Sequence, residues 1–293
     1  MPRSARQTPA GYVYHALNRA TARLKLFRKA ADYAAFLRVF DEALERHPLR
    51  VLGYCLMPTH WHVVLWPEAE GQLSSFLRWL TLTHSIRWHT HYHSTGSGHV
   101  YQNRFKAFAV EEDDHLLTVL RYVERNPLRA GLVQRAEDWP WSSLACRRAG
   151  GEAAGRRLHP WPVAASADWL KAVNEPQSEA ELEALRRSVS RGRPYGSEVW
   201  VQEVVQRLGL QATIRPRGRP RKRPPAVPDG DDNLMRPLCA PLCARCRSRP
   251  RRRFAARVGR KAPVEGQINA LVNELNAAVG ESEIGAVNVP AAE

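Results

Sequence analysis

The chain has 293 residues, of which 44% are hydrophobic, enough for one sizeable domain with appendages. Lys and Arg total 44 against 29 Asp and Glu, and the resulting net charge of +15 favours a polyanionic partner, nucleic acid before membrane. The sequence shows no apolar run of membrane-spanning length, no signal-peptide apolar region and no disulfide framework among its five cysteines, which predicts a cytoplasmic, nucleoid-associated protein.

The first 150 residues alternate between patterns of strand and helix. The order β-α-β-β-α-β predicts an α+β, ferredoxin-like antiparallel sheet with helices on one face, followed by an additional helix. We expect the other face of the sheet to be open. The predicted strands are 11–19, 49–57, 60–66 and 99–110, and the predicted helices are 30–48, 71–93 and 113–126.

The rest of the chain has a looser pattern. Residues 151–213 contain two short amphipathic helices, at 179–192 and 197–210, and we interpret this part as a helical DNA-binding extension. Residues 214–293 are basic and rich in Pro and Arg, a composition that predicts a mostly disordered tail.

Two histidines two residues apart, His60 and His62, lie in the third predicted strand. Alternation along a strand places both imidazoles on one face and Trp61 on the other. Two neutral imidazoles in this arrangement can bind one divalent ion together. Because both would face the open side of the sheet, His62→Ala should abolish cleavage and change the stability by no more than about 1 kcal/mol. The alternative is that the two histidines simply lie at a solvated edge.

The helix at 113–126 carries a second candidate pair. Tyr122 and Asn126 are four residues apart and therefore share a helix face. Their hydroxyl and amide groups could serve as a nucleophile and a third metal ligand. Packing of Tyr122 at the sheet edge and capping of the helix by Asn126 before Pro127 is the simpler alternative.

An ordered set of motifs resembles the REP-associated tyrosine transposases, members of the HUH single-strand transposases of the insertion-sequence-200 type. The set comprises "YHALNRA", "LGYCLMPTHWHVVLWP", "YQNRFKAF", "LRYVERNPLRAGLV" and "WPWSSL", within residues 8–150. The resemblance implies that His60 and His62 bind Mg²⁺ or Mn²⁺ and that Asn126 completes the metal site. It also implies that Tyr122 attacks single-stranded or hairpin DNA to form a 5′-phosphotyrosine, and that the protein could act as a homodimer.

Two basic segments are candidates for DNA contact. Arg217 and Arg219, within residues 215–222, flank a glycine in a Pro-rich run that resembles an AT-hook, although a plain basic linker is equally consistent. Arg104 and Lys106 in the fourth predicted strand either present charge beside stacking bases or lie at a solvated edge.

Two further clusters are weaker metal candidates. The run "HTHYH" (His89, His91 and His93) ends the second predicted helix, where solvated polar residues are ordinary. The run C-x3-C-x2-C at residues 239–246 supplies three sulfurs without a nearby fourth ligand for zinc.

Three functions remain open at this point. The first is a metal-dependent tyrosine nuclease and strand transferase. The second is a domesticated protein that binds hairpin DNA without turnover. The third is a hydrolase that uses metal-bound water, for which Tyr122 would be dispensable.

Overall fold

The computed structural model describes residues 8–215. Four strands form one antiparallel sheet in the order β2-β3-β1-β4, and the predicted order of strands and helices along residues 11–126 is confirmed. The strands are β1 (Val13–Arg19), β2 (Arg50–Met57), β3 (His60–Trp66) and β4 (Lys106–Val110). The helices of the domain are α1 (Ala30–Arg46), α2 (Gln72–His91), α3 (Asp114–Glu124) and α4 (Asn126–Arg129).

Helices α1 and α2 cover one face of the sheet. Their apolar side chains form the larger core with the sheet residues that point toward them, among them Tyr14, Trp61 and Val63. Trp61 is fully buried, and its indole N–H donates to the Tyr101 hydroxyl at 3.1 Å. The odd-numbered positions of β3 are therefore core positions on the helical side, as alternation along the strand requires.

The opposite face of the sheet is also covered, and the expectation of an open face is wrong. Helix α3 packs there over a second core that includes Val13, Val64 and Phe108. Gly53 on β2 permits this approach, because a Cβ atom at that position would lie 2.8 Å from the Leu120 side chain. The sheet is thus a middle layer, and its even β3 positions face α3.

The residues beyond 130 add short helices around this frame. They are α5 (Ser143–Ala149), α6 (Gly151–Arg157), α7 (Trp169–Asn174), α8 (Glu179–Arg191), α9 (Glu198–Arg207) and α10 (Gln211–Ile214). Both predicted amphipathic helices are present as α8 and α9. No helix within residues 8–215 is long and apolar enough to cross a membrane.

Candidate active site

Strand β3 places His60 and His62 on the face that α3 covers. In the sheet register His62 lies opposite Leu17 of β1 and Cys55 of β2, so its side chain stands in the middle of the sheet. His62 is only 3% exposed. His60, at the start of the strand, is half-buried. The two ring centroids are 5.0 Å apart, which confirms that the imidazoles are neighbours on one face.

A third imidazole joins them. His15 on β1 is fully buried, and its Nε2 lies 2.9 Å from Nδ1 of His62. The two rings are nearly parallel, at 13°, with centroids 5.1 Å apart. Sequence reasoning did not select His15, although an imidazole between Val13 and Leu17 on an apolar strand face was a usable signal.

Burial keeps these imidazoles neutral. It is the largest cause that lowers the pKa of His15 to about 3 and that of His60 to about 4. Burial, followed by the neighbouring His60 and His15, also holds the pKa of His62 well below its ordinary value. A neutral imidazole has a lone pair for a metal ion, so protons do not compete for these ligands at pH 7.

The ring nitrogens are divided between protein contacts and free positions. Nδ1 of His60 lies 3.1 Å from the Thr59 hydroxyl, and Nδ1 of His62 faces His15. Within residues 8–215, neither Nε2 atom has a hydrogen-bond partner. Because ligating histidines commonly bond through their second nitrogen to the protein, this donor set fits one divalent ion bound by two Nε2 atoms.

Tyr122 lies over strands β1 and β3, beside His15 and His62. Asp113 caps the start of α3 by accepting from the backbone N–H of His115, and the apolar face of the helix then packs on the sheet. The ring of Tyr122 is 5.9 Å from that of His62 and 6.2 Å from that of His15, in edge-to-face orientation. The structure therefore brings together the three residues His60, His62 and Tyr122 that the sequence singled out.

Asn126 begins α4 and is held beside Tyr122. Its amide Nδ2 donates to the Tyr122 carbonyl at 3.2 Å, and its Oδ1 accepts from Arg129 at 2.5 Å. The oxygen proposed as a metal ligand is thus engaged by a guanidinium in this structure.

Arg129 is a second residue that the sequence reasoning missed. Its guanidinium carbon lies 4.3 Å from the centre of the Tyr122 ring. Arg129 follows Asn126 by three residues in "NPLR", which is about one helical turn. This spacing is the sequence feature from which Arg129 could have been selected. A cation at this distance stabilises negative charge that develops on the phenol oxygen.

The predicted DNA contacts lie in different places. Lys106 lies opposite Leu17 in the register and so belongs to the histidine side of the sheet. Arg104 instead lines a groove beside α2, together with Arg78 and the exposed Leu82. That groove has no acidic residue among the described residues that line it. Arg217 and Arg219, like the cysteines at 239–246, lie outside the described residues.

Another cluster could in principle hold a metal. Among residues 8–215, only Glu111, Asp113 and His115 bring three carboxylate or imidazole ligand atoms within 4.8 Å of one another. These groups already have structural roles, since Asp113 caps α3 and Glu111 accepts from the Ser197 backbone at 2.6 Å. The histidines of "HTHYH" form no such group in the described part of the chain.

Comparison with known proteins agrees with this geometry. Residues 10–126 match the family model described as "Transposase IS200 like". This part of the chain is similar to IS200-like transposases and is called the IS200-like domain below. The domain contains the three strand histidines, Tyr122 and Asn126.

Two relatives of the IS200-like domain are REP-associated tyrosine transposases. The one from Haemophilus influenzae is 23% identical over 117 residues, which cover 37% of this chain and 66% of the relative. The one from Escherichia coli is 25% identical over 97 residues, which cover 33% of this chain and 55% of the relative. The chain therefore matches about half to two thirds of the length of these proteins.

One solved structure similar to this chain is a REP-associated tyrosine transposase bound to a REP hairpin. It is 20% identical and covers 61% of this chain and 96% of its own, with a TM-score of 0.42.

Proposed function

We propose that the IS200-like domain cleaves and rejoins single-stranded DNA, including hairpins of repeated palindromes, with Tyr122 as the nucleophile. The observation that carries this proposal is the position of the Tyr122 ring, 5.9 Å from the His62 ring, on the sheet face that also holds His60. A phenol can act as a nucleophile, two neutral imidazoles can bind a metal ion, and a guanidinium can stabilise developing negative charge, so this set suits phosphodiester transfer.

The reaction would begin with attack of the Tyr122 oxygen on the scissile phosphorus. The bond from phosphorus to the 3′-oxygen breaks, which leaves a 5′-phosphotyrosine and a free 3′-hydroxyl. The phenol gives up its proton, and the departing 3′-oxygen takes one up, so the overall charge is conserved. Since the covalent link retains the energy of a phosphodiester, a second 3′-hydroxyl can reverse the step and join strands.

His60 and His62 would hold Mg²⁺ or Mn²⁺ through their Nε2 atoms. Such an ion polarises the scissile phosphate and offsets the charge that develops during transfer. Asn126 is the candidate third ligand, which requires its Oδ1 to leave Arg129. Arg129 would then remain over the Tyr122 ring and stabilise the phenolate.

The DNA path would follow the exposed basic residues. Lys106 lies on the histidine side of the sheet, and Arg104 lies in the groove beside α2, where Leu82 and Ile86 are 56% and 58% exposed. Cationic and apolar groups together suit unpaired nucleotides, whose phosphates and base faces are both accessible. Arg217 and Arg219 would add contacts of their own.

The test is a covalent capture experiment. Purified protein with Mn²⁺ is mixed with a labelled library of single-stranded oligonucleotides that carry hairpins, and adducts that survive denaturation are counted. The parent protein should form an adduct, and Tyr122→Phe should form none. Cleavage by Tyr122→Phe with protein-free ends would identify water as the nucleophile, whereas binding by the parent without any adduct would indicate a DNA-binding protein without turnover.

The proposed metal ligands are tested in the same assay by comparing two histidine variants. His60→Ala should form no adduct in Mg²⁺ or Mn²⁺, since it removes one of two ligands from a half-exposed position. His91→Ala, on the exposed end of α2, is the matched control and should react like the parent.

A further inference from the structure

His15 is buried without an evident structural reason. Its ring is fully enclosed, between Phe108 at 4.9 Å and Tyr122 at 6.2 Å. Within the described residues, its Nδ1 has no hydrogen-bond partner. The hydrogen bond between its Nε2 and His62 is therefore the only one that the His15 side chain makes there. A buried unpaired nitrogen is costly, and an apolar ring would pack here without that cost. Packing alone therefore does not explain an imidazole at this position.

The hydrogen bond between His15 and His62 can be made in two ways. Both rings are neutral, so each carries one proton, and one proton lies between them. If His62 donates from Nδ1, its Nε2 carries a lone pair. If His15 donates from Nε2, the proton of His62 is on its own Nε2, and that nitrogen has no lone pair for a ligand.

We infer that His15 is a positioning residue, which accepts the Nδ1 proton of His62 and so fixes the tautomer that presents the Nε2 lone pair at the proposed metal position. This inference rests on the proposed function. The near-parallel rings, at 13°, also restrict rotation of the His62 ring about its side-chain bonds. His15 would act only through His62 and touch neither the metal nor the DNA.

The same contact explains how two neighbouring histidines can differ in role. His60 has a hydroxyl partner, Thr59, whose proton can rotate to suit either tautomer. His62 has no such adaptable partner, because an imidazole nitrogen either donates or accepts. The tautomer of His62 is therefore tied to that of His15, and the tautomer of His60 is not tied to a second ring.

The experiment compares three variants by two measurements. His15→Phe keeps an aromatic ring but removes the acceptor, and His15→Gln keeps an acceptor oxygen at a similar reach. His84→Phe is the matched control, because His84 is also a buried imidazole with one hydrogen bond, to Tyr101 at 2.8 Å, on the other side of the sheet. Mn²⁺ affinity is measured by electron paramagnetic resonance, and the tautomer of His62 is read from ¹⁵N chemical shifts without added metal.

We expect His15→Phe to weaken Mn²⁺ binding by about 10-fold to 100-fold, the usual range for a residue that orients a metal ligand. His15→Gln should recover most of this loss, and His84→Phe should bind Mn²⁺ like the parent. In the metal-free parent, His62 should carry its proton on Nδ1. In His15→Phe, that proton should be distributed over both nitrogens.

Two results would overturn the inference. One is parental Mn²⁺ affinity in a folded His15→Phe, and the other is a metal-free parent in which His62 keeps its proton on Nε2. In either case the parent can still form the Tyr122 adduct, and the proposed function would stand. A parent that forms no adduct and binds no Mn²⁺ would refute the proposed function and, with it, this inference.

Discussion

Replacement of His62 with Ala should destabilise the fold strongly, whereas replacement of His60 should not. His62 is 3% exposed in the middle of the sheet, beneath α3, and it provides the only side-chain hydrogen bond that His15 makes among the described residues. His60 is half-buried at the end of its strand and contacts the Thr59 hydroxyl. The two substitutions remove the same chemical group from different depths.

The magnitude follows from two contributions. Truncation of a large buried side chain to Ala costs about 2–5 kcal/mol through lost contacts and the cavity that remains. Leaving the buried His15 without a partner costs about 1–3 kcal/mol more. Because the cavity can relax or admit water to His15, we expect about 3–5 kcal/mol in total for His62→Ala, against about 1 kcal/mol or less for His60→Ala.

Urea denaturation followed by circular dichroism measures this difference. With a denaturant dependence of about 2 kcal/mol per molar urea, His62→Ala should lower the unfolding midpoint by about 1.5–2.5 M. His60→Ala should lower it by no more than about 0.5 M. Equal midpoints for the two variants would refute the argument, because they would mean that burial under α3 and the bond to His15 contribute nothing.

This expectation replaces the one that the sequence supported, a change of no more than about 1 kcal/mol for His62→Ala. It also affects how the proposed metal site should be tested. Loss of cleavage in His62→Ala would combine a missing ligand with a weakened fold, and loss in His60→Ala would report the ligand alone.

Three further outcomes are expected. Arg129→Gln should slow adduct formation by about 10-fold or more in single-turnover assays, because it removes the cation over the Tyr122 ring; an unchanged rate would exclude that role. Stability should be highest above pH 6.5 and should decrease as the pH falls toward about 4, because burial lowers the folded-state pKa of His84 to about 4, so the unfolded chain binds its proton first. Urea midpoints at pH 7, 6 and 5 test this, and His84→Phe should show a shallower decrease. Deletion of residues 216–293, which removes many Lys and Arg, should flatten the dependence of DNA affinity on salt while the preference for hairpins remains; loss of that preference would place recognition in the tail.

Local sequence patterns were sufficient to predict the sheet and the core that α1 and α2 form on one of its faces. Alternation in β3 separates Trp61 from His60 and His62, and the helical stripes of α1 and α2 predict the core that Trp61 enters. The turn at Pro58 predicts the pairing of β2 with β3. These features depend on neighbours within a few residues, which is why they can be read from one chain.

The cover on the second face depends on contacts between distant residues. The α3 residue Leu120 packs at Gly53 of β2, and Leu185 of α8 joins the same core. A periodic pattern shows that α3 has an apolar face, but it does not show which surface that face meets. The length of β4 was overestimated for a related reason, since residues 99–105 alternate like a strand but lie beside β1 and α2 as a loop.

His15 and Arg129, which the sequence reasoning missed, also depend on the three-dimensional arrangement more than on the local sequence pattern. The proposed role of His15 depends on the register that sets it diagonally from His62, a residue 47 positions away along the chain. Arg129 is close in sequence to Asn126, yet its position over the Tyr122 ring depends on the break between α3 and α4. Sequence spacing selected the candidate ligands, and the three-dimensional arrangement was needed to find the groups beside them.

Burial of the histidine cluster links the chemistry of the site to the stability of the domain. A low-dielectric setting keeps His60 and His62 neutral, so that a metal ion would not compete with protons for their lone pairs at pH 7. The same burial lowers the folded-state pKa of each buried imidazole, so that acid protonates the unfolded chain first and favours unfolding. A more exposed site would tolerate acid better, but its histidines would be partly protonated. The covered sheet face is therefore a requirement of the proposed chemistry, and the acid sensitivity of the fold is its consequence.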